Sequence, residues 1–131
     1  METYEVESEV RAALVGNADL MAVLPSGANA IYHYVAPAVD PTRYPIIVYA
    51  PISDVPAMNG DNREQAHSVT IRIHVITTRK RFDTDERNFI TACRLVKEIM
   101  TSLHFFRRQT TPYVEDGKIM SVMDFVRRVK S

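Results

Sequence analysis

Tyr44-Pro45-Ile46-Ile47-Val48-Tyr49-Ala50, a nearly unbroken apolar run, and Ser68-Val69-Thr70-Ile71-Arg72-Ile73-His74-Val75, an alternation without a slip, decide the fold of this 131-residue chain. A side-chain period of two puts Val69, Ile71, Ile73 and Val75 on one face of a strand and Ser68, Thr70, Arg72 and His74 on the other. The first face is made for a core. The second is polar and has to meet water or another subunit. Pro45 suits the first position of a strand, where a missing N–H is tolerated. Between the two strands, Ser53 to Ala66 carries Pro56, Gly60, two Asp and two Asn and reads as a long solvated loop.

Working outward, Val6, Val10, Ala13 and Leu14 recur at helical spacing, so a helix is predicted from about Glu5 to Leu24, broken at Gly16-Asn17 and stopped before Pro25. Ala30 to Val35 is a short strand candidate. Residues Ala36 to Arg43, with Pro37 and Pro41, read as a loop. Downstream, Phe89, Ala92, Cys93, Val96, Ile99, Met100 and Leu103 mark one face of a long helix from Asp83 to Leu103. Asp83 and Glu86 have the spacing of a capping box at its start. Phe105 to Val114 and Ile119 to Val129 are two further strands, joined by Glu115-Asp116-Gly117-Lys118, and Asp-Gly is a hairpin signal. The order α-β-β-β-α-β-β predicts a single α+β domain: a mainly antiparallel sheet with the N-terminal helix and one long helix packed on one face.

Bulk composition is permissive. Sixteen basic residues balance sixteen acidic ones, so net charge argues neither for nor against nucleic acid, and little self-repulsion opposes association. Cys93 is the only cysteine, so no internal disulfide forms. The acidic opening Met1-Glu2-Thr3-Tyr4-Glu5 lacks the pattern of a signal peptide, and no apolar stretch approaches the ~20 residues of a membrane span. No metal, cofactor or membrane partner is expected.

Candidate chemistry is thin. His33, His67, His74 and His104 lack the close pairing of zinc sites. Cys93 lies on the apolar stripe of its helix and reads as a structural cysteine. The carboxylates Asp54, Asp61, Glu64, Asp83, Asp85 and Glu86 fall in loops and at a helix start, where solvation and capping account for them. Gly60 and Gly117 are isolated turn glycines. Three basic clusters remain, Arg79-Lys80-Arg81, Arg107-Arg108 and Arg127-Arg128-Lys130; such short runs usually form a solvated face, though each could touch phosphate. In the last strand Ile119, Met123, Phe125 and Val129 share one face and Met120, Val122 and Val126 the other. The second apolar face is covered either by an internal element or by a neighbouring subunit.

The whole order resembles the tail-completion proteins of long-tailed bacteriophages and prophages, also called tail terminators or tail-to-head joining proteins. It carries a short N-terminal helix, Ile31-Tyr32, the Tyr44–Tyr49 run, a loop with Asn59-Gly60-Asp61-Asn62, and the strand from His67 to Val75. The resemblance implies a subunit that assembles into a ring, typically a hexamer. That ring caps the tail tube, ends its polymerisation and docks to the head connector or stopper, and no catalytic residue or cofactor is carried over. It would belong to the tail or neck of a virion, made in the cytoplasm of the bacterial host. Its partners would be copies of itself, the tail tube protein and the connector, with non-specific DNA contact in the lumen and no membrane. Asp54, Met58, Asn59, Asp61, Asn62 and Arg63 become a candidate assembly loop. Arg72, His74, Arg79, Lys80, Arg81, Arg107 and Arg108 become candidate interface or lumen contacts. Another neck or connector component is the nearest alternative; a small ligand-binding or enzymatic α+β domain is the distant one.

Overall fold

The computed structural model describes residues 1–58 and 64–130. Two short helices, α1 (Thr3–Val15) and α2 (Ala18–Val23), lead through a 3-10 turn to β1 (Ile31–His33). A second 3-10 turn at Pro41–Arg43 precedes β2 (Ile46–Met58), which is followed by β3 (Glu64–Thr78). Next come α3 (Arg79–Thr84) and α4 (Glu86–Ser102), and the chain ends on β4 (Phe106–Glu115) and β5 (Lys118–Lys130). The five strands form one sheet in the order β1-β2-β3-β5-β4.

The helix break falls where the sequence places it. Gly16 closes α1 with its N–H on the Ala12 carbonyl, and a Cβ there would lie 2.9 Å from that oxygen, which no side chain tolerates. Asn17 then caps α2, its side chain accepting from the Leu20 N–H at 2.9 Å. At the β4–β5 turn, Asp116 (φ 50°) and Gly117 (φ 73°) both occupy the left-handed region, the type I′ geometry that matches strand twist.

The sheet is mixed. β2–β3, β3–β5 and β4–β5 are antiparallel, but β1 pairs parallel with β2, Ile31 beside Ile47 and His33 beside Tyr49. The linker from β1 travels back through the Pro41–Arg43 turn before β2 begins, so the two strands enter the sheet in the same direction. The expected loop from Ser53 to Ala66 is corrected more substantially. β2 continues through Ser53–Met58 and β3 starts at Glu64, with Ser53 opposite Thr70 and Val55 opposite Ser68. The prolines are accommodated because β1 covers only the start of β2, which leaves the edge beyond Tyr49 without a partner strand among the described residues.

The helix start is also corrected. Residues 79–84 form α3, capped by Thr78, whose hydroxyl accepts from the Arg81 N–H at 3.1 Å. Asp83 therefore sits inside a helix, and α4 begins after Asp85 without a side-chain cap. A T-shaped contact of Phe82 with Phe89, centroids 5.7 Å apart, ties the two helices together.

The helices cover one face of the sheet. Val69, Ile71, Ile73 and Val75 are fully buried there with Met123 and Phe125, against Val6, Val10 and Leu14 of α1 and Phe89, Ala92, Val96, Ile99 and Met100 of α4. Cys93 is half-buried, and burial pushes its thiol pKa up, as suits a structural cysteine.

Candidate assembly surfaces

Three surfaces collect the residues singled out by sequence. The first is the sheet face turned away from the helices. Here β3 supplies Arg72 and His74, and register sets Asp124 of β5 opposite Arg72 and Val122 opposite His74. Arg72 grips Asp124 with two bonds, Nε to Oδ1 at 2.8 Å and Nη2 to Oδ2 at 3.1 Å, and Gln109 Nε2 reaches Oδ2 at 3.5 Å. The Asp124 side chain is 8% exposed and that of Arg72 38%. The hydrogen bond to Asp124 raises the guanidinium pKa further. His74 is held below its ordinary pKa, first by burial and then by the Arg72 charge, so it stands neutral at pH 7. Around this pair the face is apolar: Val48 and Thr70 are buried, and Met120, Val122 and Val126 are half-buried. Phe106 and Tyr113 of β4 stand 62% and 48% exposed at its rim.

Asp124 is the central carboxylate that sequence reading missed. Its signal was available: the lone acid of its strand, set between apolar neighbours in Met123-Asp124-Phe125, needs a partner. Only the register shows that the partner is Arg72.

The second surface is the far end of the β2–β3 ladder. Asp54 lies on β2, where its carboxylate accepts a very short hydrogen bond from the Thr3 hydroxyl. His67 Nδ1 reaches Asp54 Oδ1 at 2.6 Å and its Nε2 reaches the Met1 carbonyl at 2.7 Å. Both ring nitrogens of His67 thus lie within hydrogen-bond distance of an oxygen, one on β2 and one at the chain's first residue. The Met1 ammonium meets the Lys130 carbonyl at 2.6 Å. Asp54 is thus a post to which α1 is tied, and the Thr3 hydrogen bond leads the causes that lower its pKa. Met58 ends β2; Asn59, Asp61, Asn62 and Arg63 lie outside the described residues.

The third set is basic. Arg79 sits beside the β4–β5 turn, its N–H on the Gly117 carbonyl at 2.8 Å, and pairs with Asp83 at 3.4 Å. Arg81 Nη2 donates to the Tyr44 carbonyl at 3.3 Å, and Lys80 is exposed. Arg107 and Arg108 lie near the opposite end of β4, where a bulge interrupts pairing with β5. Arg107 Nη1 donates to Thr110 Oγ1 at 3.3 Å. The β5 residues beside these two clusters, Lys118 and Phe125, are seven apart, about 23 Å of strand. The clusters are therefore not brought together into one stripe. Arg127 of the third cluster is spent internally: it grips Glu9 at 2.9 and 3.2 Å, donates to the Leu103 carbonyl at 2.9 Å and lies over Phe105. That bond lowers the pKa of Glu9.

Among the described residues no group of three or more His, Cys, Asp or Glu could hold a metal ion, and no helix is long and apolar enough to cross a membrane.

These features define an α+β fold with one face of its sheet sealed by helices and the other partly open. The same fold occurs in a solved chain of the virion of a native gene transfer agent particle, with a TM-score of 0.66 over 93% of this chain and 92% of that one, at 17% identity. The sequence matches no protein-family model and no curated protein.

Proposed function

We propose that this chain is a structural subunit of a phage-like particle, a tail terminator. It forms a ring on the end of the tail tube, stops further polymerisation and presents the surface to which the head connector docks. The observation that carries the reading is the end-to-end likeness to a virion chain, with nearly all of both chains superposed and neither left with an extra domain's worth of unmatched length. The open sheet face supports it. A partly apolar surface around one half-exposed ion pair is poorly suited to water and well suited to a protein neighbour. Chemistry plays no part in the proposed role; subunit contacts do the work. In a ring each copy uses two different patches, a heterologous contact that closes by rotation.

The test is reconstitution. Purified protein is added to tail tubes and imaged by negative stain, with mass measured across concentrations. Rings on tube ends, and tubes of fixed length, are the expected result. Protein that stays monomeric and never binds a tube end overturns the reading. Binding to connectors without tubes would instead assign it to another part of the neck.

A further inference from the structure

The two edges of the sheet are β1 and β4, and their side chains are of complementary charge. At the β1 edge, Glu7 of α1 is 7% exposed and lies against His33, whose Nε2 makes a very short contact with Oε1. Its other oxygen, Oε2, is buried without a hydrogen-bond partner, the one such side-chain atom among the described residues. A buried carboxylate oxygen left unpaired is costly, and it accepts a cation's N–H readily. Aromatic rings wall the spot. His33 stacks on Tyr49 at 5.1 Å and meets Tyr34 at 4.1 Å between centroids. Tyr34 is held at φ 66°, a left-handed conformation that bulky residues rarely adopt, and stands half-exposed. Tyr4, 68% exposed, lies beside the Tyr34 side chain. A carboxylate behind aromatic faces is the environment that suits a guanidinium, which pairs with the acid and stacks on the rings.

The β4 edge supplies the guanidinium. Arg107 is exposed and points to the helix-covered side of the sheet, as His33 does, because its register partner Phe125 is a core residue. Height along the strands also agrees. His33 lies in the row Tyr49, Ile73, Met123, Thr110 that crosses the whole sheet. Arg107 starts one same-face step away, about 7 Å, and its guanidinium reaches back to Thr110, into that row. In a head-to-tail ring whose axis runs along the strands, rotation keeps height and would bring one copy's Arg107 level with the next copy's Glu7. Direct strand addition is disfavoured: Pro112 removes a donor from the β4 edge, and β1 is three residues long. A contact between these edges would therefore run through side chains.

We infer that Arg107 of one copy inserts between Tyr4 and Tyr34 of the next and pairs with Glu7, closing the ring head to tail. The inference rests on the ring reading above, and the experiment separates the two. Assembly on tail tubes is compared for wild type, Arg107→Glu and the near-isosteric Glu7→Gln, with thermal melts to verify folding. Each substitution is expected to raise the concentration needed for half-maximal ring formation at least tenfold. Mixing a Tyr4→Cys variant with an Arg108→Cys variant, each also carrying Cys93→Ser, is expected to give disulfide-linked dimers that neither forms alone. Rings that assemble at wild-type concentrations with both Arg107→Glu and Glu7→Gln, and no mixed disulfide, overturn this pairing while leaving the ring reading intact. Wild type that never forms a ring overturns both.

Discussion

The two faces of β3 come from the same eight residues and do different work. Val69, Ile71, Ile73 and Val75 are wholly buried under α1 and α4. Thr70, Arg72 and His74, interleaved with them, look out through a partly open surface whose polar centre is one ion pair. The inner face is specified by volume and apolar area, the outer by the register that sets Arg72 opposite Asp124. A one-residue slip would exchange the faces and put an arginine in the core, so the alternation enforces its own register. The lesson is that stability resides mainly on one side of this strand, while the other side is held by a single polar register.

Breaking the inner face should have the largest effect. Ile73→Ala removes a fully buried side chain flanked by Tyr49 and Met123, and should cost about 2–5 kcal/mol in urea unfolding. On the outer face, Arg72→Ala strands the buried Asp124 carboxylate, with only Gln109 at 3.5 Å. Because Arg72 is itself more than one-third exposed, the expected loss is smaller, about 2–3 kcal/mol. The double variant Arg72→Met with Asp124→Leu should recover most of that loss, since replacing both ends of a buried pair by apolar groups is close to neutral. If the double variant melts as low as Arg72→Ala, the pair is more than a satisfied polar island and the contrast between faces is weaker than drawn.

How much was legible beforehand follows the same division. The helices α1, α2 and α4, the alternating strand, the β4–β5 hairpin and the break at Gly16 all show in local periodicity or turn chemistry, whereas α3 does not. The extension of β2 through Ser53–Met58 and of β3 back to Glu64 was hidden because Pro56 and the surrounding polar residues resemble a loop; they are strand because, among the described residues, that edge of β2 has no partner strand to miss the proline N–H. The parallel pairing of β1 is a matter of chain path, invisible in three residues. The candidate surfaces were half legible. Arg72 and Arg107 were visible as charges, but Asp124, Glu7 and His33 acquire meaning only through partners 52, 26 and 26 residues away. Long-range register is what a single sequence does not print.

Acid should weaken the protein in two stages, both on polar partners and neither on the core. His74 has a depressed folded pKa, through burial and then Arg72. Its stabilising share is therefore present above its unfolded pKa, about 6.5, and is lost as pH falls through the lower folded value. Asp54 and Glu9 follow: the bond from Thr3 lowers one and the bond from Arg127 the other. Their share is complete above about pH 4–4.5 and is lost as pH falls through the folded values. Urea midpoints measured across this range should fall in that order, and Asp54→Asn with Glu9→Gln should flatten the lower limb. A limb unchanged in the double variant would mean that neither tie contributes to stability.

The smallest effect on stability is expected where the effect on assembly could still be large. Arg79 and Lys80 sit on exposed turns of α3, and the Arg79–Asp83 pair has side chains 66% and 58% exposed. Reversing both to Glu should shift unfolding by no more than about 0.5 kcal/mol. Arg81 differs, because it holds the Tyr44 carbonyl, and Arg81→Glu should cost about 1 kcal/mol more. If α3 faces DNA or an acidic partner in the assembled neck, Arg79→Glu with Lys80→Glu should reduce particle completion, and wild-type association should weaken as salt rises. Unchanged particle yield would return this cluster to a solvated helix face. The β4-edge arginine would then be the basic residue with a role in assembly, and the contrast that matters would be between the two sheet edges as much as between the two faces of β3.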